Sequence, residues 1–326
     1  MIISASYKTD IPAFYGKWFM NRLEAGFCYI VNPYSRKARK ISLKREDVDA
    51  FVFWTKNSGP FMKNLEMIHQ KGYPFVIQYT INGYPGELEC SVVDPNKSIS
   101  YLKILEKEYG PRVAVWRYDT ILLTSLTPLD FHARNFSKLA GRMRGLTDEV
   151  IVSFAQFYKK TRRNVELASR RIHFTWEDPE ETTKIELLLK LTEIAQKNDM
   201  RMRICSQPNL TEGLEAASCI DIFRLSDIAG YLIEAKQKPR RPGCGCFASV
   251  DIGEYDTCPH GCIYCYAVND HKLAKERYRN HDPASEFLFK PKGVKIQESI
   301  PGLEDKSEQE KRFLQMRLSR EYDCST

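Results

Sequence analysis

No stretch of the 326-residue chain approaches the ~20 uninterrupted apolar residues of a bilayer span, which argues against a membrane protein. The start, Met1-Ile-Ile-Ser-Ala-Ser-Tyr-Lys-Thr-Asp10, has no basic segment followed by an apolar one, so no export signal is read and a cytoplasmic chain is expected. A Gly-rich phosphate loop, a Gly-x-Ser-x-Gly elbow and a His-Glu-x-x-His helix are all missing, which argues against nucleotide hydrolases, serine esterases and zinc peptidases. Internal repeats and low-complexity tracts are missing too. Histidine is sparse, and among the six residues His69, His132 and His173 stand apart, giving no metal set of their own. Charge of one sign is scarcely in excess: 49 basic against 42 acidic residues leave +7, which permits an anionic partner such as nucleic acid without requiring one.

What is present is an ordinary globular composition, 43% hydrophobic, 28% charged and 12% aromatic. At ~150 residues per domain, the length suits one large domain or two small ones, each able to bury a core without metal or disulfide. A unit recurs along the chain: a short apolar or β-branched run, a polar cluster, then a segment of helical period. Strands are expected at Ile2 to Ala5, Phe27 to Val31, Ala50 to Trp54, Phe75 to Tyr79, Val113 to Trp116, Val150 to Phe154, Met202 to Cys205 and Ile220 to Phe223. Helices are expected at Tyr15 to Ala25, Pro60 to Lys71, Ser98 to Tyr109, Leu129 to Arg144, Glu180 to Lys197 and Ser226 to Ala235. Strands alternating with helices predict an α/β protein with a parallel sheet, and about eight of them favour a (β/α)8 TIM-like barrel over an open doubly wound sheet. The barrel would take residues 1–289, including a Cys-rich loop at 243–267, and the charged tail 290–326 would dock on it as a helix over Lys306 to Arg320.

Polar residues gather just after these strands: Thr9 and Asp10, Asn32, Thr55-Lys56-Asn57, Thr80 with Asn82, Arg117-Tyr118-Asp119, Gln156, and Ser206-Gln207. In a parallel barrel they would share the C-terminal rim, where such enzymes place their chemistry. Ordinary loop polarity explains any one of them, whereas the set repeats at one phase of the pattern. Alternation sends Arg117 and Asp119 to the same side of a strand, as a structural ion pair or a substrate-binding pair. Arg117, Asp119 and Lys56 are therefore the candidate catalytic residues. Asp10, read first as a helix-initiating residue, and Gln207, whose amide could equally satisfy loop backbone, are candidate cofactor contacts. The basic runs Lys159 to Arg163, Arg170-Arg171 and Lys236 to Arg241 read first as solvated helix faces and second as nucleic-acid contacts.

Ten cysteines without an export signal argue against a disulfide framework. Cys28, Cys90, Cys219 and Cys324 read as ordinary thiols, whereas Cys244, Cys246, Cys258, Cys262 and Cys265 crowd one short stretch. Cys258, Cys262 and Cys265 form C-x3-C-x2-C, a spacing that lets a tight loop wrap three thiolates round a cubane cluster and leave one iron open. Gly261 supplies backbone freedom there, Pro259 limits it, and His260 would tune the cluster through a hydrogen bond. Zinc is the competing metal, held by four of Cys244, Cys246, Cys258, Cys262, Cys265 and His260. Cys205, Cys244 and Cys246 stay open between a fourth ligand, a second metal and buried thiols.

With Tyr264 before its last cysteine, the motif Cys-x3-Cys-x-aromatic-Cys resembles the signature of radical S-adenosylmethionine (SAM) enzymes. The resemblance implies a [4Fe-4S] cluster on Cys258, Cys262 and Cys265, SAM chelated at the fourth iron, and Tyr264 near the adenine. It further implies an electron donor such as ferredoxin or flavodoxin, and hydrogen abstraction from a substrate it does not name. The chain as a whole resembles an uncharacterised microbial family, described as radical-SAM-like or related to spore photoproduct lyases. That likeness runs through Ser-Ala-Ser-x-x-Thr-Asp-Ile-Pro-Ala-Phe-Tyr, Trp-Arg-Tyr-Asp and Tyr-Asp-Thr-Cys-Pro-His-Gly-Cys-x-Tyr-Cys-Tyr-Ala. Two features depart from radical SAM enzymes: the loop follows the barrel-like sequence instead of its first strand, and no Gly-Gly-Glu segment is present to meet the SAM amino group. The late loop implies either a closing strand over Ala248 to Ile252 in a permuted barrel or an appended module. The alternative function is an iron-sulfur or zinc protein with a structural or electron-transfer site that binds nucleic acid.

Overall fold

Eight parallel strands make one sheet in the computed structural model, which describes residues 1–32, 35–211, 213–239, 241–291, 293 and 294. In chain order they are β1 Ile2–Ala5, β2 Ala50–Thr55, β3 Phe75–Thr80, β4 Ala114–Ile121, β5 Glu149–Phe154, β6 Arg201–Ile204, β7 Glu215–Ala216 and β8 Val250–Asp251. Their order across the sheet is β7-β6-β5-β4-β3-β2-β1-β8, so the first seven neighbours follow the chain without a reversal. The inner strands are near-continuous apolar runs because both faces are covered.

Alternation along those runs divides the interior into two cores. Phe51, Phe53, Phe75, Ile77, Trp116, Tyr118 and Val152 belong to the larger, with the buried faces of five helices. These are α1 Gly16–Ala25, α2 Met62–Gln70, α3 Pro95–Tyr109, α4 Leu129–Met143 and α6 Glu181–Lys197; between the last two runs α5 Lys159–Ile172. Val52, Val76, Val115 and Ile151 face the other way and pack with Cys219, Ile220, Cys246 and Leu225, the last on α7 Ile222–Ala229. Five helices on one face and an unreversed strand order mark a singly wound sheet, with no topological switch point of the doubly wound kind. Among the described residues β7 and β8 are its edges, and the backbone of Gly245 and Phe247 bonds Ala217 and Ile220, just past β7, before the chain enters β8.

Phe27–Val31 is a strand as expected, but it lies outside the large sheet. One expected strand is corrected. Ile220 to Phe223 is no strand: the Asp221 carboxylate accepts the backbone N–H groups of Phe223 and Arg224 and starts α7. A side chain that caps backbone donors this way competes with the extended conformation. The two-residue edge strands β7 and β8 take their places. α5 was read only as a basic run, and α8 His271–Arg279 was not expected.

The chain divides into one unit of Met1–Ile30 with Lys40–Phe289 and a second of Val31–Arg39 with Lys290–Thr326. In the second, the Arg36 N–H closes a turn on the Asn32 carbonyl at 2.9 Å. The expected tail helix over Lys306 to Arg320 lies outside the described residues. Among the described residues no helix is long and apolar enough to cross a membrane.

A titrating group in the core, His132, affects stability with a definite sign. His132 on α4 is fully buried, with Nδ1 2.9 Å from the Tyr118 hydroxyl and Nε2 3.2 Å from the Leu122 carbonyl oxygen. Burial holds its pKa down at about 4, against an ordinary 6.5. Below pH 6.5 the unfolded chain therefore binds a proton that the folded chain refuses, and stability falls until the pH passes the folded value. From pH 7 to pH 5 the drop from this group is about 2 kcal/mol. Urea denaturation of wild type and His132→Gln should show the gap between them narrowing by that amount, and a gap independent of pH would refute the assignment.

Candidate functional site

The strand ends open on a cavity of about 830 Å³ whose wall includes Asp10, Lys56, Arg117, Asp119, Cys258, Cys262, Tyr264 and Cys265. Residues far apart in sequence meet there because every strand is parallel and each leaves the sheet at the same end. Gln207 does not line the cavity: its amide accepts the Phe154 N–H at 2.7 Å and donates to the Phe154 carbonyl at 3.3 Å. The expected cofactor contact is thus a clamp on the end of β5, its amide spent on the backbone.

The cysteine loop is placed by β8. Val250 and Asp251 pair in parallel with Ile3 and Ser4 of β1, so the chain leaves β8 beside the residues that follow β1. The Asp251 carboxylate fixes this register by accepting from Ser4 Oγ (2.8 Å), Ser6 Oγ (2.7 Å) and the N–H groups of Tyr7 and Gly253 (3.0 Å each). Of the two placements anticipated, the loop follows a late strand, shorter than the Ala248 to Ile252 envisaged and at the sheet edge. A second segment grips it from outside: the Ile263 N–H bonds Leu88 O at 3.1 Å, and the Ser91 N–H bonds His260 O at 3.0 Å. Between them Glu89 and Cys262 form an antiparallel bridge. Gly261 has φ +74°, and a Cβ there would stand 2.4 Å from Cys90 Sγ, so any other residue is strained and collides.

Burial pushes the thiols of Cys258, Cys262 and Cys265 above the ordinary range; Cys265 raises Cys258 further, and both raise Cys262. A metal binding here must displace protons. Backbone N–H groups of Asp10 and His260 point at Cys258, and those of Ala267, at 3.4 Å, and Val268 point at Cys265. A neutral thiol is a weak acceptor, so this set of donors suits thiolates. Among the described residues no three His, Cys, Asp or Glu side chains surround one ion-sized point. A single zinc needs donors about 2.3 Å from one centre, whereas a cubane gives each thiolate its own iron.

Three charged arrangements adjoin the triad. The Asp10 carboxylate accepts the Ala13 N–H at 2.9 Å, capping the helical turn Ile11–Phe14, and also the Lys56 N–H at 2.7 Å. His260 Nε2 lies 2.8 Å from the same carboxylate. Asp10 thus welds the ends of β1 and β2 to the cysteine loop. The Lys56 ammonium pairs with Glu89 at 2.8 Å and donates to the Tyr264 hydroxyl at 3.2 Å. Glu89 also accepts from Asn82 Nδ2 at 3.0 Å and from the Tyr264 hydroxyl. Burial would raise the Glu89 carboxyl, but the Lys56 charge and these hydrogen bonds outweigh it and hold it below the usual range. Arg117 and Asp119 do form the pair that alternation implied. Burial opposes the charge on Asp119, yet Arg117 and the Ser153 hydroxyl keep the carboxyl low. The Arg117 guanidinium also donates to Gln78 Oε1 at 3.1 Å and lies 5.0 Å from the Trp54 ring centre.

Glu89 and Cys219 were the residues missed. Glu89 sits in the aperiodic segment Gly86-Glu-Leu-Glu-Cys90, where nothing in the sequence separates it from Glu87. Cys219, taken for an ordinary thiol, lines the cavity against Arg117. Of the basic runs, Arg162, Arg163, Arg170 and Arg171 are exposed on α5, whereas Lys160, Lys238 and Arg241 reach the cavity wall.

The chain belongs to the family described as DUF1848, a domain of unknown function, whose model matches residues 2–267. The match takes in all eight strands and the whole cysteine triad. No curated protein matches the chain.

Proposed function

We propose that this member of the DUF1848 family is an iron-sulfur enzyme of the radical SAM type, with Cys258, Cys262 and Cys265 holding a [4Fe-4S] cluster. The observation that carries the reading is that the C-x3-C-x2-C thiols share one cavity with the Arg117–Asp119 pair and with Lys56, itself paired to Glu89. When bound, such a cluster supplies the electron for reductive cleavage of SAM, and the deoxyadenosyl radical so released abstracts hydrogen from substrate.

The chain's own residues would have three tasks. Backbone N–H groups of Asp10, His260, Ala267 and Val268 stabilise the thiolates. Lys56, Glu89 and Asn82 hold the Tyr264 hydroxyl, so its ring presents a fixed aromatic surface to the cavity. Arg117 and Asp119 orient a polar substrate, backed by Gln78 and Ser153. The cavity volume lies within the ~300–1,000 Å³ typical of ligand pockets, which suits a cofactor-sized molecule. A singly wound parallel sheet with its polar residues at one end supports a TIM-like barrel as the parent architecture.

The test is anaerobic reconstitution with iron and sulfide, reduction by dithionite in place of a ferredoxin or flavodoxin, and assay for 5′-deoxyadenosine from SAM. Its formation in proportion to iron content is expected. A protein that takes up its cluster and leaves SAM intact, with or without candidate substrates, would sink the mechanism in favour of a structural or electron-transfer cluster.

A further inference from the structure

Four more cysteines meet on the wall of the same cavity. Cys205 follows β6, Cys219 follows β7, and Cys244 and Cys246 lie on the segment that leads to β8; all four line the cavity. The Sγ atoms of Cys205 and Cys219 are 3.6 Å apart. Cys246 in turn lies close enough to Cys219 and to Cys244 for their thiols to influence one another electrostatically. Around a tetrahedral ion with metal–sulfur bonds of about 2.3 Å, neighbouring sulfurs stand about 3.8 Å apart. The Cys205–Cys219 contact is close to one edge of such a tetrahedron.

The donors around these sulfurs point the same way. Arg117 Nη1, on a residue only 3% exposed, donates to Cys219 Sγ at 3.0 Å. The backbone N–H groups of Cys219 and Ile220 donate to Cys246 Sγ at 3.2 and 3.5 Å. Three buried N–H groups spent on neutral thiols would be poorly satisfied, because a thiol is a weak acceptor. On thiolates they are charge-assisted bonds, of the kind that surrounds sulfur-ligated metals.

We propose that Cys205, Cys219, Cys244 and Cys246 bind one soft divalent cation of the zinc class, in tetrahedral thiolate coordination, at a site separate from the Cys258–Cys262–Cys265 triad. The sulfurs run in sequence and do not surround one point in this structure. Binding therefore turns the side chains about their Cα–Cβ bonds to gather them. The ion would tie the chain just past β7 to the segment entering β8, across the side of the sheet where no strands pair. It would also fix Cys219 against Arg117, and so steady the Arg117–Asp119 pair. The site goes beyond the iron-sulfur reading and does not depend on it.

A Cys258→Ser/Cys262→Ser/Cys265→Ser variant isolates the site. Dialysed against Zn2+ and then against metal-free buffer, it should retain about one zinc per chain. With Co2+ alone it should show thiolate-to-cobalt charge transfer and the visible bands of a tetrahedral ion. In mass mapping of iodoacetamide alkylation, zinc should protect Cys205, Cys219, Cys244 and Cys246, while exposed Cys90 reacts with or without it. Failure to retain zinc, an octahedral cobalt spectrum, or protection of a different set would overturn the proposal. If circular dichroism shows the variant unfolded, the same alkylation map on the metal-free wild type decides: protection of these four supports the site, and protection of the triad alone refutes it. None of these readouts involves SAM, so the outcome is independent of the radical chemistry.

Discussion

Cys262→Ala protein, reconstituted anaerobically, is expected to hold no [4Fe-4S] cluster and to form no 5′-deoxyadenosine above background. Cys262 is the most informative of the three because it stands where the loop meets the charged network. Its backbone bridges Glu89, and its thiol feels both the Lys56 ammonium and the Glu89 carboxylate. The substitution removes only the sulfur. The bonds that place the loop, Ile263 N–H to Leu88 O and Ser91 N–H to His260 O, are backbone bonds and remain. Fold and cluster should therefore separate: far-UV circular dichroism unchanged, iron and the visible absorption gone. Cys90→Ala is the matched control, since Cys90 Sγ is 3.8 Å from the His260 carbonyl oxygen, yet the residue is exposed and outside the motif. It should keep its iron. A Cys262→Ala protein that binds as much iron as wild type would remove the triad as the cluster site, and equal iron loss in Cys90→Ala would point to loop disruption instead of ligand loss.

The same residues show what the sequence made legible. β2, β3 and β5 are buried on both faces, so they stand out as apolar runs and were placed to within a residue or so. β7 and β8 have two residues each, too few for any period, and they are the edges on which the parallel sheet ends. Ile220 to Phe223 has a strand's composition, but the Asp221 carboxylate overrides it by capping α7. The cysteine triad was legible because its spacing is local. Lys56, Arg117 and Asp119 were legible as a set: Lys56 follows β2, and Arg117 and Asp119 lie within β4, which runs on to Ile121 past the Trp116 where it was expected to end, yet all three reach the one cavity. Gln207 shares that phase, yet its amide is taken by Phe154, a competition between ligand and backbone that no pattern reveals. Glu89 was hidden because its meaning lies in a partner 33 residues earlier, and Cys219 because its neighbours Cys205 and Arg117 come from other strands.

Removing the hidden carboxylate should have the largest effect on stability. Glu89 is 5% exposed, and it accepts from the Lys56 ammonium, from Asn82 and from the Tyr264 hydroxyl. Glu89→Ala leaves the Lys56 charge, on a side chain only 14% exposed, without the carboxylate it pairs with, beside the Tyr264 hydroxyl and a ring whose centre is 5.8 Å away. Breaking a buried pair by deleting one member costs about 3–5 kcal/mol, because the remaining charge is left uncompensated. Lys56→Met should cost a similar amount for the mirror reason. The double variant Lys56→Met/Glu89→Ala should be more stable than the sum of the single losses implies, since neither charge then remains buried alone. The pH dependence is fixed by the two shifts. The Glu89 carboxyl is held below its ordinary 4.5, so its contribution is present above that pH and is lost as the pH falls through the lower folded value. Burial opposes the Lys56 charge, but Glu89 and Cys262 outweigh it and raise the ammonium above its ordinary 10.5. Its contribution is full below that pH and is lost as the pH rises through the folded value. The gap between wild type and Glu89→Ala in urea denaturation should therefore be flat across the neutral range and shrink only below pH 4.5 or above pH 10.5. A gap under about 1 kcal/mol at pH 7 would place Glu89 among solvated surface pairs, in conflict with its burial. Because the Glu89 carboxylate also holds the Tyr264 hydroxyl inside the cysteine motif, the same variant should bind iron more weakly than wild type while keeping every cysteine, which ties the stability of the ion pair to the positioning of the loop.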